Sequence, residues 1–465
     1  MGNRQSNRTH NESSPRHGAS SSRMNSSKNR VKHLRDQEVK DANIHERSFS
    51  SSMSDSLDFT HMFSMGQNDK GQLGRGIISK DDIDSYPMGP VTEVEQKNTA
   101  DLDEDEQAEI ASRVLKDIKF VATGRSHIIM VTHSNKLYGM GFNNYSQLGF
   151  PETEENIPRL REIQLPEDVK TIDGLAAGWF HSVVVCDGNK VFCAGHSFFE
   201  QTFDVAMDKG FKRSVKMEFL QRDNSKITVV SASTFSSSLV VDNWKIFACG
   251  EMNANSNPAN YLVPGCEIFK RDEVIKKFKH ADKGLVVLAE SGNVYFATKE
   301  RPFHILMDSV HSITPSHMYE TTYAMKDKST ILSECDLSPL TVRAQVNVQA
   351  FVEKYGMENI QLYCGYSFYY LVVNKRRVYT INGSELNEIL NLDGVTTTVN
   401  IKEVVATSDC SYFIFEKCLF TASELLMKSR LLSCEMYKDV SIIASDEDYY
   451  YSRGSIISNE ESACI

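Results

Sequence analysis

Short apolar runs separated by polar turns recur along the chain, and their spacing carries more information than their strength. From Gly178 to Gly195 the sequence reads GWFHSVVVCDGNKVFCAG, with a β-branched run at Val183 to Val185, a turn at Asp187-Gly188 and a second apolar run from Val191 to Cys193. Two such runs joined by Asp-Gly predict a β-hairpin, because both central turn residues tolerate positive φ. A second copy, GRSHIIMVTHSNKLYGMGFNNYSQLG, starts at Gly124, passes Gly141 where the first copy has Gly195, and adds the tail Gln147-Leu148-Gly149. That tail recurs at Gly71-Gln72-Leu73-Gly74, after the apolar stretch Met62 to Met65.

The copies can be counted. An aromatic residue near the end of the return strand falls at Tyr138, Phe192, Phe247, Tyr295, Tyr379 and Phe420, with gaps of 54, 55, 48, 84 and 41 residues. The gap of 84 approaches two units, and a worn copy fills it: Thr322 to Met325, a polar turn over Lys326 to Ser329, then Ile331-Leu332, with Glu334 in the glycine slot. Seven hairpins are therefore expected, over 128–139, 182–195, 239–250, 285–297, 322–334, 370–381 and 412–421.

Gly-x-x-His at Gly124/His127 and Gly178/His181, the hairpin after it, and Gly-Gln-Leu-Gly at 71–74 resemble the repeat of the regulator of chromosome condensation family. The resemblance implies an all-β fold, a single seven-bladed β-propeller over 60–422, with a period of about fifty residues, long for a repeat array. The N-terminal half-unit at 60–76 would then complete the last blade and remove the open sheet edges. The resemblance carries over only framework residues: Gly71, Gln72, Leu73, Gly74, Gly124, His127, Gly141, Gly178, His181 and Gly195.

Composition adds an uneven charge. The 465 residues carry a net charge of −11. Residues 1–40 hold nine Lys/Arg against three Asp/Glu, a net of +6, which leaves −17 on the remainder. An acidic body argues against phosphate-backbone binding, so no direct nucleic-acid binding is expected of the propeller. Residues 1–59 are rich in Ser, Asn and Arg and poor in apolar residues, the composition of a disordered arm. Its opening, MGNRQS, fits the acceptor pattern for myristate on Gly2. Arg4, Arg8, Arg16, Arg23, Lys28, Arg30, Lys32 and Arg35 would add attraction to an anionic membrane surface.

Other segments stand apart from the repeat. Residues 77–116 read as an acidic surface insertion, and Ile110, Val114, Leu115 and Ile118 keep a helical spacing at its end. Asp101, Asp103 and Asp105 mimic the start of a calcium loop, but Glu106 replaces the required glycine. Gly66 to Gly71 has a phosphate-loop spacing, with Gln72 where Lys is needed. Residues 423–465 weakly resemble the opening of a BTB domain, and either a remnant of one or a cap on the propeller fits them. Of the ten cysteines none form Cys-x-x-Cys, and Cys186, Cys193, Cys249, Cys364 and Cys410 lie in apolar runs, as reduced buried thiols do.

Little in the chain suits covalent chemistry. Metal-spaced Cys/His clusters and hydrolase motifs are missing, so no metal, cofactor or catalytic residue is expected. His127 and His181 recur in register, as structural residues do. Trp179 and Trp244 fall in separate units and cannot form the dense tryptophan cluster of the ultraviolet photoreceptor in the resembled family. Lys276, Lys277 and Lys279 read as a solvated strand edge. Two function classes remain: a propeller that binds a protein partner as a guanine-nucleotide exchange factor or regulator of a small GTPase, or an adaptor recruiting clients to a ubiquitin-ligase or membrane-associated complex. Either fits a cytoplasmic protein held at a membrane by its arm, and the nucleus stays open.

Overall fold

The computed structural model describes residues 62–79, 85–91, 94–95, 117–203, 210–252, 261–282, 284–316, 321–326, 328–366, 368–393 and 400–416. The arm (1–59), the calcium-like loop at 101–106, the helical spacing at 110–115 and the segment 423–465 lie outside these residues.

Seven antiparallel sheets form a seven-bladed β-propeller. The chain opens with β1 (Met62–Gln67), β2 (Ser85–Pro90) and β3 (Val94–Glu95). Blade II holds β4 (Ile118–Thr123), β5 (His127–Thr132), β6 (Leu137–Phe142) and β7 (Asn156–Ile163), and β3 runs parallel beside β7. Blade III holds β8 (Ile172–Ala177), β9 (His181–Cys186), β10 (Lys190–Gly195) and β11 (Lys212–Arg213). Blade IV has three strands, β12 (Ile227–Ala232), β13 (Ser236–Val241) and β14 (Lys245–Gly250). Its outer edge is partly covered by the bridge of Phe247 to Leu262.

Blade V is β15 (Ile275–His280), β16 (Gly284–Ala289), β17 (Val294–Thr298) and β18 (His304–Met307). Blade VI is β19 (Val310–Pro315), β20 (Thr321–Lys326), β21 (Ile331–Leu337) and β22 (Leu340–Asn347). Blade VII is β23 (Ile360–Cys364), β24 (Tyr369–Val373), β25 (Arg377–Asn382) and β26 (Glu385–Asn391). The last strands, β27 (Asn400–Ala406) and β28 (Cys410–Glu416), return to the first, giving blade I the order β2-β1-β28-β27.

The first strand of each full repeat is innermost. Strands β4, β8, β12, β15, β19, β23 and β27 pack each on the next around a closed ring. The second strand lies between two neighbouring blades, so both its faces are covered. That is why β5, β9, β13 and β16 are buried at every position, with apolar runs that in β9 and β13 follow buried polar residues at the strand start. The core is divided among the blade interfaces. One cluster joins blades I and II through Met62, Ile128, Met130 and Tyr412. Another joins III and IV through Val183, Val185, Leu239 and Val241, and a third joins VII and I through Phe63, Tyr370, Val372 and Phe413.

Four sequence expectations are corrected. The seventh hairpin, 412–421, is corrected within the described residues: both edges of β28 are taken, by β27 before it and by β1, Met62 opposite Ile414 and Gly66 opposite Cys410, and 417–421 lie outside them. The place of the expected return strand is taken by the N-terminal strand. The segment 77–116 is not wholly an insertion, because β2 within it is the outer strand of blade I. Ile118, read as helical, opens β4 and pairs with Thr132. In the fifth hairpin the partner of Thr321 is Asp336, so the glycine slot is Asp336 and not Glu334.

Candidate functional site: one face of the ring and its axis

The turn between the first and second strands is closed by one backbone hydrogen bond in all seven blades, across three residues in six of them and across five in blade VI. Gly124 N–H donates to the His127 carbonyl, and Gly178, Ser233, Ala281, Ser316, Gly365 and Thr407 donate likewise to His181, Ser236, Gly284, Thr321, Phe368 and Cys410. Gly-x-x-His is thus the well-kept form of a turn whose backbone survives when its side chains change. Both glycines are required by the imidazoles. A Cβ on Gly178 would lie 2.0 Å from His181 Cε1 and 2.5 Å from the Ser233 carbonyl oxygen, and one on Gly124 would lie 2.0 Å from His127 Cε1.

The histidines join blades. His127 Nε2 meets Ser182 Oγ of blade III at 3.0 Å, and His181 Nε2 meets Ser237 Oγ of blade IV at 2.8 Å. Both rings are fully buried, and burial lowers the pKa of each to about 3. Where histidine is lost, other pairs carry the belt on: Thr321 Oγ1 with Tyr369 Oη at 2.8 Å, Tyr370 Oη with Ser411 Oγ, and Ser126 Oγ to Asp409 Oδ2 at 2.9 Å.

The glycine-rich tails sit on this same face, between third and fourth strands. In the first copy Lys70 N–H donates to Gln72 Oε1 at 2.8 Å, and Leu73 N–H donates to Asn68 Oδ1 at 3.0 Å. In the second, Tyr145 N–H donates to Gln147 Oε1 and Leu148 N–H to Asn143 Oδ1. A third copy went unread in the sequence: Phe199 N–H donates to Gln201 Oε1 at 2.9 Å. Here Glu200 and Phe203, at φ 60 and 51, hold the left-handed backbone that Gly71 and Gly74 hold in the first. The signal was spacing, since Gln201 follows Gln147 by one repeat. Gly141 and Gly195 end the third strands, where a Cβ would lie 2.4 Å and 2.2 Å from the carbonyls of Ser126 and Phe180.

Residues distant in sequence build an aromatic cap on this face. Trp179, Phe180, Phe235 and Tyr366 form a buried cluster, with Phe142, Tyr145 and Phe199 packed against it. Tyr366 of blade VII reaches across the axis and donates its hydroxyl to the Ala177 carbonyl of blade III at 3.1 Å. The Arg125 guanidinium lies 5.0 Å from the Trp179 ring and 5.8 Å from Phe180. Phe198, stacked near His196 and edge-on to Phe199, is 54% exposed. The buried indole Nε1 of Trp179 makes no hydrogen bond.

The axis holds the third feature, and it overturns the reading of Lys277 and Lys279 as a solvated edge, whereas Lys276 is exposed as expected. They lie on β15, an innermost strand, where Lys277 Nζ donates to the Ile313 carbonyl of β19 at 2.8 Å. Burial, with Lys279 beside it, lowers the Lys277 pKa to about 8. Trp244 lies in the hairpin turn of blade IV, far along the fold from Trp179. The described cysteines are free, and Cys186, Cys193, Cys249 and Cys410 are buried while Cys364 is partly so. Among the described residues there is no cluster that could hold a metal ion, and no helix long and apolar enough to cross a membrane.

Residues 134–185 match the Regulator of chromosome condensation (RCC1) repeat, and residues 172–201 match a second form of it. Over 146 residues the chain is 29% identical to an RCC1 repeat-containing protein of Dictyostelium discoideum, covering 30% of each. Over 146 residues it is 26% identical to the guanine nucleotide exchange factor SRM1 of Saccharomyces cerevisiae, covering 30% of this chain and 25% of that one. The matches thus span less than a third of either relative. Among solved structures, human WBSCR16 superposes with a TM-score of 0.53 at 14% identity, over 77% of this chain and 99% of that one, a likeness of fold. The matched repeats are blades II and III, where Gly-x-x-His is intact.

Proposed function

We propose that the face carrying the Gly-x-x-His turns is a protein-binding platform that engages a small GTPase, as an exchange factor or regulator. The observation that carries this reading is the aromatic cap, with the Arg125 guanidinium over Trp179 and Phe180 and with Phe198 exposed at the edge of Phe199. Aromatic and arginine side chains over a packed base are what interface hot spots are made of. The partial similarity of the chain to a guanine nucleotide exchange factor, over 146 residues, supports the choice of partner. Exchange needs no covalent step: a platform that binds the nucleotide-free GTPase better than the loaded form shifts the population toward nucleotide release. The test is capture of a GTPase by the full chain with and without removal of nucleotide by a chelator. Phe198→Asp should abolish capture from the nucleotide-free sample without lowering thermal stability, since the ring is exposed.

In the same reading the protein is held at a cytoplasmic membrane face by myristate on Gly2 and the basic residues after it. One myristoyl chain binds bilayers with a constant of only about 10⁴ M⁻¹, so the second, electrostatic signal is needed. Gly2→Ala should release the protein into the soluble fraction while every basic residue remains. Identical fractionation of parent and variant would refute the lipid anchor.

A further inference from the structure

The innermost strands carry an unbalanced charge. Lys119 on β4, Lys276, Lys277 and Lys279 on β15 and Lys402 on β27 face only two inner-strand carboxylates, Asp173 and Glu403. Asp173 is already used: its Oδ2 accepts from Gly188 N–H at 2.7 Å and from Thr171 Oγ1 at 3.0 Å, in the hairpin turn. Four of the lysines donate to backbone of the next inner strand: Lys119 to Ile172 O at 2.8 Å, Lys276 to His311 O at 3.5 Å, Lys277 to Ile313 O at 2.8 Å and Lys402 to Ile118 O at 2.9 Å. An ammonium has three N–H donors, and one carbonyl fills one of them without neutralising the charge.

Alternation along β15 turns Phe278 and His280 into the blade, Phe278 in a core cluster and His280 Nδ1 on Ser238 Oγ at 3.1 Å. Lys277 and Lys279 therefore share the opposite side, toward β19 and the axis. Lys279 and Glu403 come from strands on opposite sides of the ring, yet each is close enough to the channel's centre for Glu403 to feel the Lys279 charge. Neither makes an ion pair or hydrogen bond among the described residues. Lysines outnumber carboxylates on the strands that surround the axis, the nearest carboxylate makes no ion pair among the described residues, and donors are left over.

We propose that the axial channel between Lys277, Lys279, Lys119 and Lys402 binds a small multivalent oxyanion of the phosphate class. The anion would accept the unused ammonium protons, and Glu403, whose carboxyl burial already pushes upward, would bind its proton more readily beside it. Bound phosphate would tie inner strands of blades V, VI, I and II through one charge centre and so stabilise the ring by mass action.

The probe is inorganic pyrophosphate, added to the full chain during thermal unfolding, against sodium chloride at equal ionic strength. The native chain should show a saturable rise in Tm that chloride does not give. Lys190→Gln should keep the rise, because that ammonium is held by Asp168 and Asp187 outside the channel. Lys277→Gln with Lys279→Gln should lose it. If the double variant fails to fold, Lys279→Gln alone breaks no hydrogen bond and should require roughly tenfold more pyrophosphate, about 1.4 kcal/mol. Glu403→Gln should reach the same rise at lower pyrophosphate. An equal rise in chloride, an unchanged response in Lys279→Gln, or a response to a phosphoserine peptide but not to pyrophosphate would each overturn the proposal.

Discussion

A buried histidine that must stay neutral ties the stability of this ring to pH. His127 and His181 are held by serines of the next blade, and burial lowers their pKa from 6.5 to about 3. Between those values the unfolded chain takes up protons that the folded chain refuses, so stability falls as pH drops below 6.5 and is unaffected above it. The slope is about 1.4 kcal/mol per pH unit for each histidine. Urea unfolding at pH 7 and pH 5 should show this loss, and a His127→Gln, His181→Gln double variant should show a flatter dependence. At pH 7, His181→Ala should cost about 1–3 kcal/mol through the lost hydrogen bond and the serine left behind. The residue is structural, so partner capture per folded molecule should not change.

At the scale of elements, the turns outlast the residues that first made them recognisable. Gln147 keeps its loop although Ser146, at φ 55, stands where the first copy has Gly71. The Ser146 hydroxyl is buried without a hydrogen-bond partner among the described residues. Ser146→Gly should therefore stabilise the protein by about 0.5–1 kcal/mol, the relief of left-handed backbone less the entropy glycine adds to the unfolded chain. A lower denaturation midpoint in that variant would refute the assignment. The middle strands were legible in sequence, because β9 and β10 carry the apolar runs Val183 to Cys186 and Val191 to Ala194 and are joined through Asp-Gly. The innermost strands were not: β15 reads IKKFKH and β8 contains Gly174, since one side of each looks into the axis rather than a core. The last hairpin was misread for a different reason. Phe420 completed a plausible period, whereas the partner of β28 lies more than three hundred residues earlier, at β1. The aromatic cap was equally hidden, because Phe142, Trp179, Phe235 and Tyr366 are brought together only by ring closure.

For the whole molecule, closure by the two ends gives a rigid ring with three separable features. The histidine belt joins blades, the axial lysines concentrate positive charge in an otherwise acidic chain, and the aromatic cap offers a surface. On the proposed reading the cap is the surface that meets the partner, so recognition should be lost by changing it and kept when the other two are changed conservatively. The most direct measurement is GTPase capture by the full chain, native and Phe198→Asp, from samples with nucleotide present and with nucleotide stripped by chelator. The account predicts a GTPase enriched by the native chain only in the stripped sample, and lost with Phe198→Asp at unchanged Tm. Equal capture with and without nucleotide, capture undiminished by Phe198→Asp, or no GTPase in any sample would contradict it.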